Sequence, residues 1–277
     1  MIDKRVGIIG GSGVDFSKDI KKAQWVNLDC VYGKPSDLLL YGLLNDAPIA
    51  FLPRHARGHI IPPDQINYKA NIEALVKSNV TTVLSISAVG SLNDNYLPGD
   101  IVMIDQYIDN TLNKNISFYD KNLVGHASLA DPICKTLFNQ IKNHSNQLNH
   151  EIKFGGNYVG ISGPSFSTRA ESRMYKKLGG DLIGMTVPPE AKLAREVGLC
   201  YIGFALVTDF DSWDDSKPPV DVTTVEKNLL KMNNKMKKLL KDLITIFQLH
   251  EETENNISFQ NNIVTDRKYR KNLKFNF

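Results

Sequence analysis

The feature that most constrains this chain is the alternation of short apolar runs with amphipathic helical stretches. "RVGIIG" (5–10), "DLLLYG" (37–42), "APIAFLP" (47–53), "TTVLSIS" (81–87), "DIVMIDQYI" (100–108) and "LCYIGFALVT" (199–208) read as strands. Several are apolar at nearly every position, the pattern of strands covered on both faces. Residues 63–79, 129–144, 167–179 and 188–198 read as helices; the last opens on prolines and ends on glycine, as helices prefer. Val222, Val225, Leu229, Met232, Met236, Leu240, Leu243 and Phe247 recur every three or four residues and predict one helix from Val222 to Leu249. Lys227, Lys231, Lys238 and Lys241 fall off that stripe and mark a solvated face. Such alternation predicts an α/β fold: a single domain with a large mixed central β-sheet flanked by helices. The domain is expected over residues 1–250, with a polar C-terminal tail or extension over 251–277.

Composition excludes several classes of protein. A chain of 277 residues, 42% hydrophobic, is long enough for a sizeable core. A net charge of +3 does not argue for nucleic acid. No secretory leader is visible, and no apolar run approaches the about 20 residues a bilayer span needs, so no membrane partner is expected. Cys30, Cys134 and Cys200 are odd in number, far apart and form no C-x-x-C pair. They are expected to be reduced thiols of a cytoplasmic protein, with no structural metal. The histidines lack metal-ligand spacing: His55 and His59 are four apart, but proline and glycine flank them.

Candidate chemistry gathers at the ends of the strands, where open α/β sheets bind ligands. "GIIGGSG" (7–13) turns straight out of the first strand. It is not the G-x-G-x-x-G dinucleotide fingerprint, because the sixth position counted from Gly11 is Phe16. Asp29 does lie at a dinucleotide-like distance. A compact anion-binding turn with Ser12 as a donor fits better, and a plain tight turn fits too. "LPRHARGH" (52–59) offers Arg54, whose planar fork suits phosphate, with His55 beside it. "SAVGSL" (87–92) brings the Ser87 hydroxyl and the Ala88 amide, and "GMT" (184–186) brings Thr186 just ahead of a helix. Each is also compatible with ordinary turn chemistry. "VTDFDSW" (207–213) follows a wholly apolar strand, and Asp209 and Asp211 sit two apart, on one face if the strand continues. Two such carboxylates suit a base edge that presents hydrogen-bond donors; a helix cap or turn is the plain alternative. No G-x-S-x-G nucleophile elbow is present.

Taken in order and spacing, these motifs resemble the trimeric purine nucleoside phosphorylase family. "INYKANI", "PGDIVMIDQYID", "SFYD", "SGPSFSTRAESRMY" and "GMTVPPEAKLAREVGLCY" join those above, and the resemblance covers residues 5–245. It implies a pentosyltransferase of purine and methionine salvage that needs no cofactor. Inorganic phosphate would attack C1′ of 5′-methylthioadenosine and release adenine and 5-methylthioribose 1-phosphate, through an oxocarbenium-like transition state. The family's phosphate site maps onto Ser12, Arg54, His55, Ser87, Ala88 and Thr186. Its purine site maps onto Phe166, Ser167, Asp209 and Asp211, with Asp209 at N7 and the 6-amino group and Asp211 supporting it. Met185 resembles the residue that holds the ribose hydroxyls, Val222 and Val225 the walls of the methylthio pocket, and His126 the histidine that reaches in from an adjacent subunit. The shared site implies a homotrimer that binds a small nucleoside and phosphate, with no nucleic-acid partner. Gly184 replaces an asparagine of some relatives, and Glu226 stands where relatives can carry leucine. The alternatives are a 6-oxopurine (methylthioinosine or inosine) phosphorylase, a dinucleotide-dependent oxidoreductase, and a non-catalytic nucleoside-binding protein.

Overall fold

The apolar runs become the inner strands of one mixed sheet in the computed structural model, which describes residues 4–11, 14, 16–112, 116–120, 122–148, 150–249, 259–266, 268 and 270. In chain order the elements are β1 (Arg5–Gly10), β2 (Lys21–Val26), β3 (Leu39–Leu44), β4 (Ala47–Pro53), α1 (Tyr68–Lys77), β5 (Val80–Ser91), β6 (Ile101–Met103) and β7 (Gln106–Asp109). There follow α2 (Lys135–His144), β8 (Lys153–Phe154), β9 (Asn157–Gly160), α3 (Arg169–Lys177), β10 (Leu182–Gly184), α4 (Val187–Glu196), β11 (Cys200–Phe210) and α5 (Val222–Leu249). The strands lie in the order β2-β3-β4-β1-β5-β10-β9-β7, and β11 leaves this path to join β5 to β6, with β8 beyond. The expected α/β fold with a large mixed sheet and flanking helices is the fold observed.

β5 is the hub of the sheet. It runs parallel to β1 as far as Ser85 and parallel to β11 from Thr82 to Ser91. Antiparallel β10 then pairs with Gly90 and Ser91. Between Ser85 and Gly90, one edge of β5 therefore has outrun β1 and not yet met β10. Sheet groups left without a strand partner must be satisfied some other way, and this gap is where the site forms. A bulge in β11 at Thr208 lies beside it: Val207 pairs with Val89 and Asp209 with Gly90, leaving Thr208 as the extra residue.

The helices follow from their sequences with local corrections. α1 starts where the Asn67 side chain accepts from the Ala70 amide, an N-cap that satisfies an otherwise orphaned donor. α3 starts with a reciprocal capping box between Thr168 and Glu171. α2 begins at Lys135, later than its amphipathic pattern suggests, because the Cys134 amide donates to the Tyr201 carbonyl instead of opening a helix. α5 spans the predicted residues, and its Leu229, Met232, Met236, Leu240, Leu243 and Phe247 are buried against the sheet. Val222 and Val225 both line a cavity: Val222 is 60% exposed, and Val225 is partly buried at the edge of that core. "DIVMIDQYI" is two strands, β6 and β7, because the chain leaves β11 after Ile104, whose amide still donates to the Gly203 carbonyl, and then pairs with β9.

The cysteines depart from expectation. Cys134 and Cys200 form a disulfide with Cα atoms 5.2 Å apart, and only Cys30 is free. Both partners are buried where the entry to α2 meets the start of β11, a closeness that 66 residues of separation conceal. Cysteine content thus lends no support to a reducing compartment. Of the 251–277 segment, residues 259–266 pack back on the domain: Phe259 stacks on Tyr119 at 4.6 Å, and Ile263 bridges to Gly125. Among the described residues, no helix is long and apolar enough to cross a membrane, and no cluster of three metal-ligating side chains occurs.

Candidate active site

The ends of β4, β5, β10 and β11, with the first turns of α4 and α5, enclose a cavity of about 820 Å³. It is lined by Arg54, His55, Ser87, Ala88, Phe166, Ser167, Met185, Thr186, Asp209, Asp211, Val222 and Val225, so twelve of the fourteen predicted residues meet in one place. The other two do not. Ser12 lies outside the described residues. His126 is away from this chain's cavity, on a segment whose amide donates to the Asn262 carbonyl.

At one end, Arg54 is buried, yet its fork does not face the cavity as the sequence suggested. Nε donates to Glu190 Oε1 (2.5 Å), and Nη2 donates to Glu190 Oε2 (3.1 Å) and Ser85 Oγ (2.6 Å). Nη1 donates to the Ile86 carbonyl (2.9 Å), on the unpaired edge of β5. A guanidinium has five N–H groups, so one, on Nη1, has no partner among the described residues. Glu190 also accepts from Ser85 Oγ (2.7 Å) and the Tyr201 hydroxyl (3.0 Å). Burial works against the Arg54 charge, but Glu190 outweighs it and keeps the guanidinium protonated. Gly11 lies flat on this arrangement: a Cβ there would stand 2.6 Å from Arg54 Nη1 and 2.7 Å from the Ile86 carbonyl. Only a residue without a side chain allows that approach.

Two hydroxyls complete this end. Ser87 Oγ and Thr186 Oγ1 are buried without a hydrogen-bond partner among the described residues. Thr186 is the N-cap of α4, but its side chain does not cap the helix, so a normally occupied acceptor is idle. The partial positive charge of a helix N-terminus and idle hydroxyl donors form a cradle for an anion. His55 turns Nδ1 to the Ile61 carbonyl (2.9 Å), and its ring stacks on His59 at 4.3 Å. Burial, with Arg54 next to it, lowers its pKa to about 4, so the ring is neutral at neutral pH.

At the other end stand two carboxylates. Asp209 accepts from the Thr208 hydroxyl through Oδ2 (2.6 Å), while Oδ1 has no partner among the described residues. Burial raises its pKa to about 6; the Thr208 hydrogen bond opposes this, and Asp211 and Asp221 add to it. Burial also raises Asp211, against the nearby Ser172 and Ser167 hydroxyls, which approach without full hydrogen-bond geometry. Asp211 lies just past β11, and because no irregularity falls between it and Asp209 the two side chains share one side, as strand alternation predicts. Gly90 separates them: a Cβ there would meet Asp209 Oδ1 at 3.0 Å, Ile183 at 3.1 Å and Asp211 Cβ at 3.2 Å. The first two and a half turns of α5 supply the apolar third wall, with Leu229 and Leu230 beside the two valines and Glu226 among them. Gly184 has a structural reason here, because the Tyr158 phenol fills the space a side chain would take.

Glu190, Gly90 and Thr208 were not singled out from sequence. Glu190 reads as an acid favoured in a first helical turn, and only the topology sets it against Arg54, 136 residues away.

A phosphorylase superfamily family model matches residues 5–245. An S-methyl-5′-thioadenosine phosphorylase of Hyperthermus butylicus is 45% identical over 240 residues, 86% of this chain and 87% of the relative. A methylthioadenosine phosphorylase from an antarctic soil metagenomic library superposes with a TM-score of 0.87 at 35% identity, covering 97% of this chain and 95% of that one. The Schistosoma mansoni methylthioadenosine phosphorylase in complex with adenine gives a TM-score of 0.84 at 34% identity, covering 94% and 96%.

Proposed function

The chain belongs to the phosphorylase superfamily, and from that premise we propose that it cleaves 5′-methylthioadenosine with inorganic phosphate, yielding adenine and 5-methylthioribose 1-phosphate. The observation that carries the substrate choice is the Asp209 carboxyl, buried, with one oxygen unpartnered and a pKa raised to about 6. A protonated carboxyl offers one donor and one acceptor side by side. Adenine presents their complement, an N7 acceptor beside an N6–H donor, whereas a 6-oxopurine presents two acceptors. At neutral pH roughly a tenth of free Asp209 carries the proton. Negative charge that develops on the departing base draws that proton to N7.

Phosphate is held at the opposite end by the spare Arg54 Nη1–H, the Ser87 and Thr186 hydroxyls and the Ala88 backbone. Ser12 is assigned to the same group on sequence alone. Glu190 fixes the guanidinium so that its remaining donor has one direction. Such fixed donors, aimed before the reaction, supply positioning and electrostatic stabilisation with no group of the protein reorganising. Phe166 faces the base, Ser167 lies beside it, Met185 meets the ribose, and Val222 and Val225 accept the methylthio group. No cofactor or metal takes part in this scheme.

The rim is open and apolar: Val222 is 60%, Leu230 69% and Phe166 43% exposed. We assign its cover to a second copy in a homotrimer, with His126 contributed from the neighbour; its position outside its own cavity wall supports that sharing. The test is base release from methylthioadenosine and methylthioinosine, each with and without phosphate. Adenine release that needs phosphate, with methylthioinosine poor, is expected. Equal or better cleavage of methylthioinosine would overturn the role given to Asp209, and release without phosphate would overturn the nucleophile.

A further inference from the structure

The phosphate end contains a group whose hydrogen-bond direction is settled by geometry. A carbonyl oxygen only accepts, so the 2.9 Å contact between His55 Nδ1 and the Ile61 carbonyl places a hydrogen on Nδ1. In a neutral ring Nε2 then carries a lone pair and accepts. No described residue hydrogen-bonds Nε2, and His55 lines the cavity. The cradle is therefore not made of donors alone: Arg54, Ser87 and Thr186 offer hydrogens, while His55 asks for one.

Resting on the reading of this end as an oxyanion site, we propose that His55 selects oxyanions that bring their own proton, hydrogen phosphate over sulfate. Hydrogen phosphate keeps one P–O–H, which donates to Nε2, and its three unprotonated oxygens remain for the donors and for attack at C1′. Sulfate near neutral pH has four acceptors and no hydrogen. It meets the Nε2 lone pair with a lone pair of its own unless the ring first takes a proton from solvent.

The surroundings resist that protonation. The titratable side chains on the cavity wall are Arg54, His55, His59, Asp209, Asp211 and Glu226. Arg54 is adjacent and charged, although Glu190 balances it, and His59 is stacked on the ring at 4.3 Å. Asp209 and Asp211 lie at the base end of the cavity. Burial and Arg54 together hold the ring neutral in the free protein. The same arrangement parks the phosphate proton on the histidine side, so the attacking oxygen is an unprotonated one.

Inorganic phosphate and inorganic sulfate are the probes, titrated calorimetrically into the full chain near pH 8 in two buffers of different ionisation enthalpy. Phosphate is expected to bind with almost no proton exchange. Sulfate is expected to bind about a hundredfold more weakly, to take up close to one proton, and to tighten steadily as pH falls. His55→Gln replaces the acceptor-only nitrogen with an amide that can turn its NH2 to sulfate or its carbonyl to hydrogen phosphate, and should narrow the sulfate-to-phosphate gap about tenfold or more. Equal affinity for both anions near pH 8, or sulfate binding without proton uptake, overturns the role of His55 while leaving the oxyanion site standing. Failure of the wild-type protein to bind either anion overturns the oxyanion site and this inference with it. The wild-type proton count decides the matter even if His55→Gln does not fold.

Discussion

Replacing Asp209 by asparagine should stabilise the protein while disabling it, and the gain should depend on pH in a calculable way. Asp209 titrates at about 6 in the folded state against an ordinary 3.8. Between those values the unfolded chain has lost its proton and the folded one has kept it. Folding then takes up a proton, and stability falls as pH rises through that window. Above about pH 6 both states are ionised and the penalty is constant. At about 1.4 kcal/mol per pH unit, the cost is about 3 kcal/mol near pH 8 and about 1 kcal/mol near pH 4.5. Asparagine cannot ionise. Its oxygen can keep the Thr208 hydrogen bond, and whatever its amide group costs is the same at every pH. The advantage of Asp209→Asn over wild type should therefore grow by about 2 kcal/mol between pH 4.5 and pH 8. Urea unfolding at both pH values and one fixed protein concentration measures this directly. A difference that does not change with pH would refute a raised Asp209, and with it the proton donor assigned to N7. Turnover of methylthioadenosine should fall by about a hundredfold or more, the usual scale for a lost general acid.

Two further substitutions test the rest of the site. Glu190→Gln leaves the buried Arg54 charge without its counter-ion and should lower unfolding free energy by about 3–5 kcal/mol, with a raised KM for phosphate; a thermal midpoint within a degree or two of wild type would refute the pairing. Gly90→Ala should press a methyl group between the two aspartates and cut kcat/KM for the nucleoside about tenfold, while thermal melts change little; unchanged kinetics would show that the carboxylates tolerate displacement.

How far the sequence could be read depended on how local each cause was. β1, β4 and β11 announced themselves because strands buried on both faces are apolar at nearly every position, while Thr81, Thr82, Ser85 and Ser87 interrupt the apolar run of β5. β9 and β10 were too short, at four and three residues, to display any period. β2 reads "KKAQWV", a charged edge strand whose outer face is in water and whose sequence looks like a loop. At the site, each strand-end residue was visible as a type: a hydroxyl, an arginine, a carboxylate. Their mutual arrangement was not. Arg54 looked available for a bidentate grip on phosphate, and the fold gives that fork to Glu190. Asp209 and Asp211 looked like strand neighbours on one face, and they are, but the bulge at Thr208 just ahead of them left no mark in the sequence. The Cys134–Cys200 bond belongs to the same class, since contacts across many residues leave no mark on either local sequence.

The gap beside β5 has a consequence for how the protein opens. Its cavity is assembled from chain segments between Arg54 and Leu230, the ends of several strands, the loops that follow them and the start of α5, and no single loop contains it. A local fraying event in one of these segments would leave the others in place. A bound ligand thus stabilises the whole native ensemble against global opening, not one flap against its own closure. In amide exchange this predicts that ligand slows the slowest protons, those of β1, β5 and β11, by a common factor.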